Sequence, residues 1–274
     1  MNIDDLYLQE LVIQISNTRK YRRLGLNKST IENLIQQEAI QQTSQKALVK
    51  AVKQKLHNIV APYLDSLDYS SLSQKLNNIQ DCTIYSQQIR SFCLMALSQH
   101  ASTAERIPVL ESFFIQLFDA SGKPGVIIDL ACGLNPLAFP WMGLPTTVHY
   151  YAYDIIQPRV DFINQFFKKI GLAPLAENRD ILVNPPKLSA DLGLFFKEAH
   201  RFEKRQPGSN RNFWNALNVK KLAISLPVTD LSGSHSLYER HKKLVNNNLP
   251  DSIPIQEIVV GNELIFLIDK THEN

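Results

Sequence analysis

Glycine is missing from the places where phosphate-binding loops would need it. The 274-residue chain has ten glycines, and no arrangement of them makes GxGxxG or GxxxxGK[ST]. Backbone cradles for a pyrophosphate or a nucleoside triphosphate are therefore excluded. Cysteine is scarce as well: Cys82, Cys93 and Cys132 lie far apart with no CxxC spacing, which excludes a disulfide framework and gives no reason to expect a metal. No apolar run approaches the ~20 residues of a bilayer span. The first residues, MNIDDLYLQEL, are acidic and amphipathic, unlike the basic flank and smooth apolar core of a signal peptide. No membrane partner is expected; the expected compartment is the cytoplasm and the expected state a monomer.

What is present is ordinary for a globular protein: 44% hydrophobic and 20% charged residues, so disorder is not the default. The net charge of +3 is mild, but its distribution is uneven. From Met1 to Val60 nine bases face five acids, so this segment alone exceeds the whole chain's surplus. Local basic clusters are how proteins meet phosphate backbones.

Two halves differ in pattern. Up to about His100 the apolar residues recur at helical spacing. Ile31, Leu34, Ile35 and Glu38 follow Ser29-Thr30, read as an N-cap, and Leu48, Val52, Leu56, Ile59 and Val60 form one stripe. After the breaker cluster Gly122-Lys123-Pro124-Gly125, short apolar runs (VIIDLAC, VHYYAYDI, LGLFF, KLAISLP, ELIFLID) alternate with helix-length stretches. Continuous apolar strands separated by helices predict a doubly wound α/β sheet. The expected domains are a helical, basic part over 1–105 and an α/β part over 106–274.

In such a sheet, ligands sit beyond the carboxyl ends of the strands. The first strand ends in DLACGLNP, with Asp129 near its end and Gly133 in the turn. One glycine beside an acidic residue suits a nucleoside without phosphates. Asp154 closes the second strand, where a carboxylate can accept both ribose hydroxyls. Asp180 follows the third, where one could accept from an adenine amino group. Acidic residues also end strands as plain turn formers. Three in order point instead to the class I, Rossmann-like fold of the S-adenosylmethionine-dependent methyltransferases.

HASTAER, DLACGLNPLAFP, YAYDI, RDIL before a double proline, and ISLP with a closing GNELIFLI resemble the aminoglycoside-resistance 16S rRNA (guanine-N7) methyltransferases. The resemblance runs from about His100 to the C-terminus, with a weaker match in SNTRKYRRL and KLHNIVAPYL. It implies methyl transfer from S-adenosylmethionine to the N7 of a decoding-site guanine in the assembled 30S subunit, and with it aminoglycoside resistance. It further implies that Arg106 pairs with the methionyl carboxylate and that His100, Ser102 and Thr103 shape that end of the pocket. Ala131 and Gly133 would line the cofactor by their backbone, Asp154 and Ile155 would meet the ribose, and Asp180 and Ile181 would flank the adenine. Read without the resemblance, Arg106 is a surface helix residue paired with Glu105 or a neighbour. Rival readings keep the fold but move the target to another rRNA base such as an adenine N1, or retain only RNA binding.

Guanine N7 carries a free lone pair, so no dedicated general base is expected; catalysis rests on positioning. A flipped target base needs an apolar surface, for which Phe196 is the first candidate, with Phe195, Phe139 and Trp141 behind it. Cys132 reads as packing. For RNA docking the candidates are Arg19, Lys20, Arg22 and Arg23, then Lys50 and Lys53, a second group with Arg201 and Lys204, and Arg240. Charge runs are more often simply solvated faces. The stretch from Thr229 to Leu244 looks shorter than the glycine- and base-rich loop of the resistance enzymes, which leaves the target base the least fixed part of the reading.

Overall fold

A computed structural model describes residues 4–61, 67–230, 233–250 and 252–271. Seven strands form one sheet in the order β3-β2-β1-β4-β5-β7-β6. They are β1 (Val126–Leu130), β2 (His149–Asp154), β3 (Ala176–Asn178), β4 (Ala190–Phe196), β5 (Val219–Pro227), β6 (Ile255–Val260) and β7 (Glu263–Asp269). The first five run parallel, and β7 joins β5 antiparallel, with β6 at the edge. The chain winds outward from β1 through β2 to β3 and returns to place β4 on the other side of β1. That reversal opens a crevice at the carboxyl ends of β1 and β4.

Successive strand residues feed opposite faces. Ile127, Leu192 and Leu194 enter a core with α5 (Tyr69–Asn77), α6 (Gln87–Leu97), α8 (Leu110–Ser121) and α9 (Gln157–Lys169). Ile128, Leu130 and Phe195 enter the opposite core with α10 (Ala199–Arg205), α11 (Ser209–Ala216) and α12 (Tyr238–Asn246). Each fully buried aliphatic or aromatic side chain there contributes about 1.5–3 kcal/mol. The short α7 (Ala101–Ala104) leads from α6 toward α8.

A third core is built by α1 (Asp5–Ser16), α2 (Arg19–Leu24), α3 (Lys28–Ala39) and α4 (Gln45–Val60). The helical residues expected over 1–105 thus pack as two groups: those up to Val60 on one another, and α5 and α6 on the sheet. The N-cap of α3 is Asn27 rather than Ser29-Thr30; its carboxamide oxygen accepts from Ser29 N at 3.0 Å. Thr30 is instead fully buried and turned toward the sheet.

The helical core is tied to the sheet at the ends of β2 and β3. Asn27 N donates to Ile155 O (3.2 Å) and Asn27 Nδ2 to Asn178 O (2.8 Å). Leu26 bridges Ile156, and the latter's side chain belongs to the helical core. Gly25, at φ 52°, permits this approach, since a Cβ there would lie 2.8 Å from that of Gln157.

Candidate active site

Two hollows meet at the carboxyl edge of the sheet, sharing Ala131 and Glu198. The larger, about 430 Å³, is lined from the sheet side by Asp154, Ile155, Asp180 and Ile181 among others. The smaller, about 20 Å³, is lined by His100, Ser102, Thr103, Arg106, Gly133, Asn135 and Phe196 among others. All ten residues expected around a cofactor therefore face one continuous cleft.

Asp129 does not. It is 1% exposed and lines neither hollow. The expected row of three carboxylates is reduced to two, because Asp129 Oδ2 accepts from Asn135 Nδ2 (2.8 Å) and from the Tyr150 hydroxyl (2.7 Å). Burial pushes its carboxyl up to about 7, against the pull of those two donors. An acid whose folded pKa lies above its unfolded value of 3.8 stabilises the fold most below that value. The contribution fades as pH rises toward 7. Asp129→Asn should therefore gain stability relative to wild type as pH rises from 4 to 7, by on the order of 3 kcal/mol. Urea unfolding of both proteins at several pH values measures the difference; a gap that does not change with pH refutes the assignment.

Arg106 is buried, 3% exposed, and its partner is not Glu105. Its Nε and Nη2 donate to the two oxygens of Glu263 at 2.9 and 2.7 Å, and its Nη1 donates to Asn135 Oδ1 at 2.6 Å. Three of the five guanidinium N–H groups are committed, leaving one on each terminal nitrogen. The guanidinium carbon lies 4.1 Å from the Phe113 ring centre and 4.6 Å from that of Phe196. Glu105 pairs instead with Lys197 (2.7 Å), whose Nζ also lies 3.3 Å from Glu263. Glu263 receives a further bond from Ser225 Oγ at 2.9 Å.

Asp154 Oδ2 accepts from Arg159 Nη1 (2.8 Å) and Gly133 N (3.2 Å), and Oδ1 accepts from Ile156 N (2.9 Å). Asp180 is more crowded. Arg205 reaches both its oxygens (3.1 and 2.7 Å), Thr30 Oγ1 donates at 2.8 Å and Leu182 N at 3.1 Å. His100 is neutral: burial, then Arg159, Arg201 and Lys197, hold its imidazole down at about 3. The Cys132 thiol is buried and pushed well up by desolvation, so it is packing.

Two non-glycine residues have left-handed backbones among the described residues, Ala131 (φ 54°) and Lys197 (φ 61°). Both line the small hollow. Strain gathered in this way is typical of functional sites. Gly133 has φ 53°, and a Cβ there would come within 3.0 Å of the His100 ring. Its single glycine is what DLACGLNP cannot do without. Gly133→Ala is expected to lose about 1–3 kcal/mol in urea unfolding; an unchanged midpoint would show that the turn relaxes freely.

Of the aromatic candidates, only Phe196 lines the cleft. Phe195 and Phe139 are fully buried, packed on Phe202 with Phe213 and on Tyr150 respectively. These two are core residues, not base contacts: alternation along β4 turns Phe195 from the cleft, and Phe139 points into the core from the short 3-10 helix Asn135–Trp141. Trp141 packs beside α6 with Arg90 5.7 Å from its ring, and lines neither hollow.

Of the basic candidates, only Arg201 and Lys204 line the larger hollow. Arg19, Lys20, Arg22 and Arg23 lie on α2, which is fastened to α4 by the Tyr21 hydroxyl on Lys53 O (3.1 Å) and by Lys20 with His57 (2.6 Å). Lys50 and Lys53 lie on α4, Arg201 and Lys204 line the hollow from α10, and Arg240 is exposed on α12. The stretch 229–244 makes a bridge between Thr229 and Ser236 and then enters α12; residues 231 and 232 lie outside the described residues.

Comparison with known proteins follows the same lines. A 16S rRNA (guanine(1405)-N(7))-methyltransferase of Micromonospora rosea is 31% identical over 226 residues, 81% of this chain and 82% of that protein. The solved structure of the 16S rRNA methylase RmtB superposes with a TM-score of 0.80 at 27% identity, covering 99% of this chain and 100% of that one. The fold is shared also with the 16S rRNA methyltransferase RmtF, solved in complex with S-adenosyl-L-homocysteine (TM-score 0.76, 22% identity, 98% and 100% covered). A family model, Ribosomal RNA methyltransferase (FmrO), matches residues 17–247. With most of its length matched, the chain belongs to the FmrO family of ribosomal RNA methyltransferases.

Proposed function

We propose that the protein transfers a methyl group from S-adenosylmethionine to the N7 of guanine 1405 in the 16S rRNA of the assembled small subunit, the reaction its relatives are named for. Aminoglycoside resistance would be the consequence. The observation that carries the reading is one cleft with two strand-end carboxylates at its wide end and an arginine fork at its narrow end.

The residues present fit the cofactor. Three accepted bonds leave Asp154 about one lone-pair site, on Oδ1, for a ribose hydroxyl at the end of β2, and Ile155 and Ile181 offer apolar surface beside it. Asp180 already has several donors, so it serves the adenine either by sharing an oxygen or by aligning Ile181 beside it. Arg106 keeps two N–H groups for the methionyl carboxylate, held in place by Glu263 and Asn135. When bound, the cofactor supplies an electrophilic methyl group on a sulfonium. The chain's own task is to align the guanine lone pair with it. No proton leaves N7, which agrees with a cleft whose two histidines, His100 and His200, have their pKa held down chiefly by burial and whose thiol is packed. Phe196 has one face covered by Arg106, so a flipped base can meet only the rest of the ring. Docking would use α2 and the lysines of α4, with Arg201, Lys204 and Arg240 nearer the cleft.

The deciding experiment is incubation of purified protein with radiolabelled cofactor and small subunits, followed by mapping of the modified base. Label at guanine 1405 N7 is expected. Label on an adenine N1 would support the rival enzyme reading, and binding without label a non-catalytic relative. Replacing Arg19, Lys20, Arg22 and Arg23 by alanine should weaken subunit binding and flatten its salt dependence by as much as ~0.7–0.9 per lost phosphate contact. An unchanged salt slope would rule out α2 as the docking surface.

A further inference from the structure

The larger hollow is not closed by the sheet domain alone. Leu34 of α3 and Lys55, Asn58 and Ile59 of α4 line it together with Asp154, Ile155, Asp180 and Ile181. The spacing of Lys55, Asn58 and Ile59 places them on one face of α4. That face lies beside the stripe of Leu48, Val52, Leu56 and Val60 that packs into the helical core. Ile59 is half-buried: it packs against the margin of the helical core and still offers apolar surface to the hollow. The wall is also fixed in place. Glu38 of α3 is buried and pairs with Lys55 at 2.5 Å. Thr30 of the same helix donates to Asp180 at 2.8 Å, and Asn27 to the chain beside Ile155 and Asn178. The helical core thus holds one of the two carboxylates assigned to the nucleoside and supplies apolar side chains to the same space.

A flat heterocycle gains most when both of its faces meet apolar groups. The sheet side provides Ile155 and Ile181, and the helical side Leu34 and Ile59. We propose that α3 and α4 form part of the cofactor site itself, with Ile59 closing on the adenine of the bound nucleoside, the core residue Leu34 backing it, and Thr30 positioning Asp180. The site is then incomplete in the methyltransferase domain taken by itself. This rests on the cofactor reading above.

The test uses the full-length chain and two probes, S-adenosylhomocysteine and 5′-methylthioadenosine, titrated calorimetrically. The second probe has the nucleoside but no amino-acid carboxylate. Ile59→Ala should weaken both probes equally, by about 5- to 10-fold, and Ile59→Leu should restore both. Arg106→Ala should weaken only the first, because it acts at the other end of the cleft. Melting curves should show Ile59→Ala folded with little change. If Ile59→Ala stays within about twofold of wild type while Asp154→Ala abolishes binding of both probes, the wall proposal is wrong and the cofactor reading stands. If Ile59→Ala weakens the homocysteine probe alone, the wall belongs to the amino-acid end and the assignment to adenine fails. If wild type binds neither probe, the cofactor reading fails and takes the proposal with it.

Discussion

Glu263→Ala should cost about 3–5 kcal/mol of stability at neutral pH, since it leaves a buried cation without its counter-ion. Glu263 is 3% exposed at the start of β7 and collects bonds from Arg106, Ser225 and the ammonium of Lys197. Lys197 retains Glu105, but Arg106 retains only Asn135 and the ring faces of Phe113 and Phe196. Burial would raise the Glu263 carboxyl, yet Arg106 first, then Lys197 and Ser225, hold it below its usual 4.5. An acid with a depressed folded pKa gives stability that is present above the unfolded value and lost as pH falls through the folded one. The gap between wild type and Glu263→Ala should accordingly be full at pH 7 and shrink below about 4.5. Urea unfolding at pH 7 and pH 4 measures it. A double-mutant cycle with Arg106→Ala adds a check, since removing the cation should recover part of the loss. Additive losses would mean that the two side chains do not share the energy their geometry implies.

That pair also marks the limit of what the sequence discloses. Arg106 and Glu263 are 157 positions apart, and no local spacing joins them. The closing GNELIFLI motif includes Glu263, but the motif alone does not identify a partner. Strands β1, β2, β4 and β5 are legible because buried parallel strands are continuous apolar runs, and antiparallel β7 is legible because it too is buried along nearly its whole length. Edge strand β6, IQEIVV, is half exposed and gives no such run. Six of the ten cofactor candidates converge because strand ends of a doubly wound sheet must share one edge, whereas His100, Ser102, Thr103 and Arg106 reach that edge from α7 and its flanks. Asp129 fails to join them for a reason that strand order cannot disclose: Asn135 and Tyr150 hold it inside the fold. The wall from α3 and α4 was equally hidden. Ile59 reads as part of a core stripe, and only the packing of the helical core against β2 and β3 turns it to the cleft.

Asp154 tests the site most directly, because two roles meet on one carboxylate. It would hold the ribose, and it already neutralises Arg159, which is 1% exposed and also donates to the Tyr69 hydroxyl at 2.9 Å. Burial works against the Arg159 charge, and Asp154 with Tyr69 more than restores it. Asp154→Ala should therefore lose cofactor binding and, separately, about 3–5 kcal/mol of stability, since Arg159 keeps Tyr69 but loses the carboxylate. Asp154→Asn separates the two. The amide oxygen can still accept from Gly133 or Arg159, but the charge-assisted acceptor for a ribose hydroxyl is gone. Hydrogen bonds to charged groups are worth about 1.5–3 kcal/mol, so S-adenosylhomocysteine should bind some 10- to 100-fold more weakly to this variant. Arg159→Met is the complement: it removes the buried cation and leaves Asp154 charged, so it should alter stability more than affinity. If Asp154→Asn binds the probe as wild type does, Asp154 is the counter-ion of Arg159 and nothing more. The ribose would then have to be held by other residues of the cleft.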